Sequence, residues 1–150
     1  NRDGRSVANS FMNVSWWWGW RGPENWRWGK LPKKYQEEWD QHGRSFVALA
    51  GIQWKIYMDA FEVASKLLPE GSILDVSYEN LCKSPVAEFS KVLDFCDLDD
   101  GDFLSKALHK FSLVDTGAKW RHHLSEEQQG ILNSVLSDHL KKHGYTTIGE

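Results

Sequence analysis

Cysteine, proline and long apolar runs are all scarce in this chain. The two cysteines, Cys82 and Cys96, stand apart with no C-x-x-C pair and no metal-ligand spacing. That argues against a disulfide framework and makes both small apolar residues of a reducing compartment. No run of eighteen apolar residues occurs, so the pattern contains no membrane-spanning helix, and the start is not signal-like. There is no basic excess: 18 Lys and Arg against 21 Asp and Glu give a net charge of −3. This argues against a nucleic-acid coat, which needs a basic surface. It leaves room for an anionic cofactor, for which a few local cations suffice. No G-x-x-x-x-G-K-[ST] phosphate loop is present, and no internal repeat. His122 and His123 are adjacent, so their side chains point apart, and no third ligand is spaced for them. A metal site is not expected.

What is present fits one globular domain with a core: 150 residues, 41% hydrophobic and 26% charged. The first helix reads from Gly4 to about Val14, with Val7, Ser10/Phe11 and Val14 on one face. Trp16 to Lys34 reads as irregular, broken by Gly19, Gly22, Pro23, Gly29 and Pro32. A long helix follows, from about Tyr35 or Arg44 to Leu68, with a 3.6-residue apolar period and a stop at Pro69-Glu70-Gly71. Residues 72–78 read as a short buried strand. Ser84 and Pro85 open a helix to about Cys96, and Asp102 opens another to about Phe111. Ser125-Glu126-Glu127-Gln128 is a capping box for the last helix, to about His143, ended by Gly144.

Six of the nine tryptophans fall between Trp16 and Trp28. One reading is a local core beneath a long loop. The other is an acceptor-binding wall, with Trp16, Trp17 and Trp20 stacking on a sugar or phenol ring and Arg21, Arg27 and Lys30 adding charge.

The N-terminal ten residues carry the sharpest signal. Arg2 and Ser10 flank a helix start. An arginine fork before a helix and a hydroxyl two turns into it can converge on one anion, beside free N–H groups at the positive dipole end. The plainer reading is an Asp/Gly turn with a solvated arginine and a cap.

The segment R-D-G-R-S-V-A-N-S resembles the 3′-phosphate-binding segment of sulfotransferases that use 3′-phosphoadenosine-5′-phosphosulfate (PAPS), in the style of their bacterial and protein-tyrosine branches. V-S-Y-E-N-L at 76–81 is similar to that family's V-x-Y-E-D-L, with Asn80 where the family has Asp. G-A-K-W-R-H-H-L-S at 117–125 resembles its nucleotide-closing G-x-x-W-[RK]-x-x-[LF]-[ST] loop. The resemblance implies Arg2 and Ser10 on the 3′-phosphate, Tyr78 near adenine, and Lys119 and Arg121 as supporting cations. For Tyr78 the alternative is a buried ring with a satisfied hydroxyl. For Lys119 and Arg121 it is two solvated cations around a Trp120 plug.

The implied fold is α/β: the helix-rich C-terminal part of a P-loop-kinase-like, three-layer parallel-sheet domain. Residues 1–150 would form a single partial domain lacking the N-terminal 5′-phosphosulfate unit, and with it the catalytic base. The implied reaction moves a sulfuryl group from PAPS to an acceptor hydroxyl or amine, releasing adenosine 3′,5′-bisphosphate. The acceptor would be a small molecule, a carbohydrate or a protein. An open sheet edge would drive homo-oligomerisation, and a cytoplasmic location is expected. Two other functions fit the residues. One is a non-catalytic helical module whose Trp-rich loop binds carbohydrate or protein. The other is a nucleotide kinase-like phosphotransferase fragment, which would need a phosphate loop.

Overall fold

The computed structural model describes residues 1–26, 29–99, 103–108 and 113–147. In chain order the helices are α1 (Gly4–Met12), α2 (Lys33–Gln41), α3 (Phe46–Ser65), α4 (Tyr78–Lys83), α5 (Pro85–Phe95), α6 (Phe103–Leu108), α7 (Trp120–His123) and α8 (Glu126–Lys142). Two 3₁₀ turns, Trp18–Arg21 and Pro23–Asn25, fill the Trp-rich stretch.

No strand or sheet occurs among the described residues, which overturns the α/β parallel-sheet expectation. Residues 73–77 lie in neither a helix nor a ladder, and Ser77 at their end is extended. Its backbone makes two bonds with Asn1: the Asn1 nitrogen donates to Val76 O at 2.7 Å, and Tyr78 N donates to Asn1 O at 2.8 Å. Those are the two bonds of a single parallel rung, and a strand needs neighbours along its length. The open sheet edge expected to drive self-association is therefore missing from the described residues.

The chain divides into two compact units. One comprises Asn1–Arg2 and Ala64–Gly117; the other comprises Asp3–Val63 and Ala118–Glu150. The second unit holds the apolar core. Asp3 caps α1, its carboxylate accepting from Arg5 N at 2.8 Å. Of the two starts expected for the long helix, the structure takes the later, near Arg44: α3 begins at Phe46, and the residues around Tyr35 form the separate α2. The break falls where Gly43 (φ 64°) and Arg44 (φ 56°) take left-handed backbone. Within α3, nine consecutive residues from Val47 to Lys55 are buried, so neighbours surround this stretch on every side. At Gly51 an added Cβ would lie 3.0 Å from Leu132 Cδ2, so the glycine sets how closely α8 approaches. Leu132, Val135, Leu136 and Leu140 complete the packing from α8. The capping box forms as expected, Gln128 N to Ser125 Oγ and Ser125 N to Gln128 Oε1.

Polar staples tie α2, α3 and α8 together. Asp59 Oδ2 accepts from Lys34 Nζ at 2.8 Å and from the Tyr35 hydroxyl, and Asp59 Oδ1 bonds His139 Nε2 at 2.8 Å. Burial alone would raise the Asp59 pKa. The bonds from Lys34, Tyr35 and His139 outweigh it and hold the carboxyl well below the usual range. Burial and the bond to Asp59 push Tyr35 up to about 12. Lys55 is buried with its ammonium on Glu38 at 2.7 Å and on Val135 O at 3.1 Å.

The first unit is built differently. Ser77 caps α4, accepting from Asn80 N. Ser84 closes α4 and precedes Pro85 at the first position of α5. Among its described residues from 64 to 117, Glu88 alone is buried, and it pairs with Lys91 at 2.5 Å. The described residues of this unit therefore make half-buried contacts rather than a closed core. The helix expected from Asp102 to Phe111 is described as α6 between Phe103 and Leu108, and its two expected ends lie outside the described residues.

Candidate functional site

In the first unit, Arg2 meets Tyr78 and Thr116. The backbone rung between Asn1 and residues 76–78 fixes where the Arg2 side chain begins. The guanidinium carbon then lies 4.3 Å from the centre of the Tyr78 ring, a cation–π stack. Arg2 Nη2 donates to Thr116 Oγ1 at 3.1 Å. Thr116 Oγ1 also lies 3.2 Å from the Tyr78 hydroxyl, which reaches Val114 O at 3.4 Å. The Arg2 Nε is buried without a hydrogen-bond partner among the described residues. No carboxylate among those residues pairs with this guanidinium. The site therefore holds a fixed positive charge, oriented by an aromatic face and a hydroxyl rather than neutralised. Thr116 itself sits in a turn closed by Gly117 N donating to Asp115 Oδ1 at 2.7 Å.

Tyr78 is half-buried, and its hydroxyl is satisfied. One face of its ring carries Arg2, so an adenine beside it would use the other face or the edge.

The remaining candidates belong to the second unit. Ser10 is exposed near the end of α1, and its hydroxyl donates back to Ser6 O at 3.0 Å. At the start of α1 the Asp3 carboxylate accepts from Arg5 N, so that donor is already taken. Lys119 and Arg121 are both exposed on either side of Trp120, which is 2% exposed. The segment expected as a loop is the short helix α7. Arg121 lies over the Trp120 ring at 4.6 Å.

The tryptophans separate by burial. Trp17 is 4% exposed, stacks on Phe11 with ring centres 5.9 Å apart, and donates from Nε1 to Gln53 Oε1 at 2.6 Å. It is part of the core, as is Trp26. Trp20 packs edge-on against Trp17 and Phe46 and donates to Val14 O. Trp16 stands 77% exposed. Trp16 and Trp20 are therefore the two of the three wall candidates with surface to offer.

Two residues escaped the sequence reading. Thr116 is the polar hub of the Arg2 site; the D-T-G turn at 115–117 is the local signal for it. Arg5 is the second arginine of R-D-G-R and is buried, with its guanidinium on Asp3 at 2.7 Å. Its position three residues after the first arginine gives no hint that one faces outward and the other inward. Among the described residues no group of three or more metal-ligating side chains occurs, and no helix is long and apolar enough to cross a membrane. Both cysteines are free thiols.

Comparison with known proteins gives no match: no protein-family model, no curated protein and no solved structure is significantly similar to this chain.

Proposed function

We propose that this chain carries nucleotide contacts of a PAPS-dependent sulfotransferase, with Arg2 taking the 3′-phosphate and Tyr78 lying beside the adenine. One observation supports this above the others. Arg2 of R-D-G-R, Tyr78 of V-S-Y-E-N-L and Thr116, next to the G-A-K-W-R segment, meet at one point although Arg2 and Thr116 are 114 residues apart in sequence. An un-neutralised guanidinium held by a hydroxyl and an aromatic face suits an anion, because it offers a fixed charge and N–H donors beyond the one spent on Thr116. Ser10, Lys119 and Arg121 enter the proposal from the sequence pattern alone, as a hydroxyl and two exposed cations of the second unit. In sulfuryl transfer such cations neutralise charge on the leaving bisphosphate. Trp16 and Trp20 would contribute an aromatic surface for the acceptor.

Calorimetric titration with adenosine 3′,5′-bisphosphate and with adenosine 5′-monophosphate tests the reading. The bisphosphate should bind more tightly. Arg2→Ala should erase most of that difference, a loss of about 1–3 kcal/mol for a charged hydrogen bond, while leaving the monophosphate unaffected. Equal binding of the two nucleotides, or an Arg2→Ala chain that keeps the preference, would refute it.

A second reading, a non-catalytic helical binding module, draws on the absence of any strand among the described residues and on the exposed Trp16. It predicts no bisphosphate binding, and quenching of Trp16 fluorescence by an oligosaccharide or a protein partner.

A further inference from the structure

We propose that Arg5 is a positioning residue: through the Trp120 indole it sets where Arg121 presents its charge. The inference rests on the nucleotide reading above, in which Arg121 acts on the phosphate.

Arg5 is 2% exposed, an unusual place for a guanidinium unless every donor is engaged. Its Nε and Nη2 lie on the Asp3 carboxylate at 3.0 and 2.7 Å, and its Nη1 donates to Asn133 Oδ1 of α8 at 3.2 Å. That leaves its flat face, which lies 4.6 Å from the centre of the Trp120 ring. Trp120 also carries the guanidinium of Arg121 at 4.6 Å. One buried arginine is thus locked by Asp3 and Asn133, one indole is oriented by it, and one exposed arginine is oriented by the indole.

The same turn is held from its other sides. Gln129 Nε2 donates to both Arg121 O and Leu124 O at 2.9 Å. Asn9 Nδ2 lies 3.3 Å from His123 Nδ1. Asn133 Nδ2 donates to Gln129 O at 2.8 Å, so the residue that holds Arg5 also adjoins the residue that holds the α7 backbone. The backbone of 118–124 is therefore fixed by α8, while the plane of Trp120 is fixed by Arg5. A lysine at position 5 would keep a charge for Asp3. It would lose the planar stack and the third donor direction, because an ammonium is a point charge on a flexible stem. Arg2 and Arg5 of R-D-G-R would then have separate tasks, the first binding the anion and the second orienting Arg121 through Trp120.

The test compares Arg5→Lys, Arg121→Ala and the double variant of the full chain. Adenosine 3′,5′-bisphosphate affinity is read by calorimetry, and amide hydrogen exchange of segment 118–124 by mass spectrometry. Arg5→Lys should weaken the bisphosphate about fivefold or more, and adding it to Arg121→Ala should cost less than the product of the two single effects, as coupled neighbours do. Exchange in 118–124 should accelerate while the middle of α8 stays protected. Losses that multiply, unchanged affinity, or unchanged exchange would each overturn the proposal. Should Arg5→Lys fail to fold, Asn133→Ala, which releases Nη1 of Arg5 and also removes the Nδ2 bond to Gln129 O, must show the same coupling to Arg121→Ala at smaller amplitude; its absence overturns the proposal too. If the unmodified chain does not bind the bisphosphate, the nucleotide reading fails, and with it the purpose of the device. Accelerated exchange in Arg5→Lys would then still identify Arg5 as the residue that orders the turn.

Discussion

Gly4 is the position where two general rules give opposite answers, and the structure decides between them. As the first residue of α1, it is where proline is favoured and where alanine usually stabilises a helix over glycine. The gain is up to about 1 kcal/mol in a helix interior. Here a Cβ on residue 4 would lie 2.6 Å from Cε3 and 2.7 Å from Cδ2 of Trp54. Those are atoms of a rigid ring, not the end of a flexible chain. Trp54 is buried and packs edge-on against His139 and His143, with ring centres 6.4 and 5.9 Å away, so a shift of its ring would disturb that packing. Overpacking of this kind costs about 1–3 kcal/mol, which exceeds the propensity gain. Gly4→Ala should therefore destabilise the chain by about 1–2 kcal/mol, a fall in Tm of roughly 2–4 °C per kcal/mol for a domain of this size. Gly4→Pro should do at least as badly, since its ring also carries a Cβ. Urea denaturation followed by circular dichroism measures both. In a Trp54→Leu background the Gly4→Ala penalty should vanish, because the ring it strikes is gone and neighbouring sites couple. A Gly4→Ala chain as stable as the parent, or an equal penalty with and without Trp54, would refute the close-approach argument.

Three further outcomes follow from the second unit. Gly19→Ala should disrupt the Trp-rich turn more severely than Gly4→Ala disrupts α1, since its Cβ would fall 2.0 Å from Cζ2 of the buried Trp17; near-ultraviolet circular dichroism should show the loss of ordered indoles. The Asp59 carboxyl is held below its ordinary value of 3.8, so its staple adds stability that is complete above that pH and declines as pH falls toward the depressed value. Asp59→Asn should lower stability at pH 6 and flatten its decline between pH 4 and pH 2, as read from denaturant midpoints. Tyr35, raised from 10.0 to about 12, contributes stability that is present below pH 10 and is lost as pH rises through the folded value. Ultraviolet titration should show a late ionisation from Tyr35, and Tyr35→Phe should remove that step.

The sequence by itself determined the local structure wherever the cause was local. Ser125 and Gln128 form a capping box because both partners lie within one turn, and Gly144 ends α8 for the same reason. The 3.6-residue period found the apolar face of α3, and the breakers found the irregular stretch from 16 to 34. Periodicity did not show that α3 is buried on every side from Val47 to Lys55, because that depends on how many neighbours surround a helix and not on its own pattern. The segment 72–78 carries the residues of a strand, yet a strand is a property of a pair, and the described residues offer it a single rung with Asn1. Arg2 and Tyr78 were legible as candidates. Their meeting at Thr116 was not, since contact between residues so far apart in sequence is set by chain folding. Nor did sequence separate Arg2 from Arg5 or Trp16 from Trp17, because identical side chains have identical chemistry until packing decides which is enclosed. Tertiary structure made that choice: Asp3, Asn133 and Trp120 surround Arg5, and Phe11, Gln53 and Gly19 make room for Trp17, while Trp16 is left facing solvent.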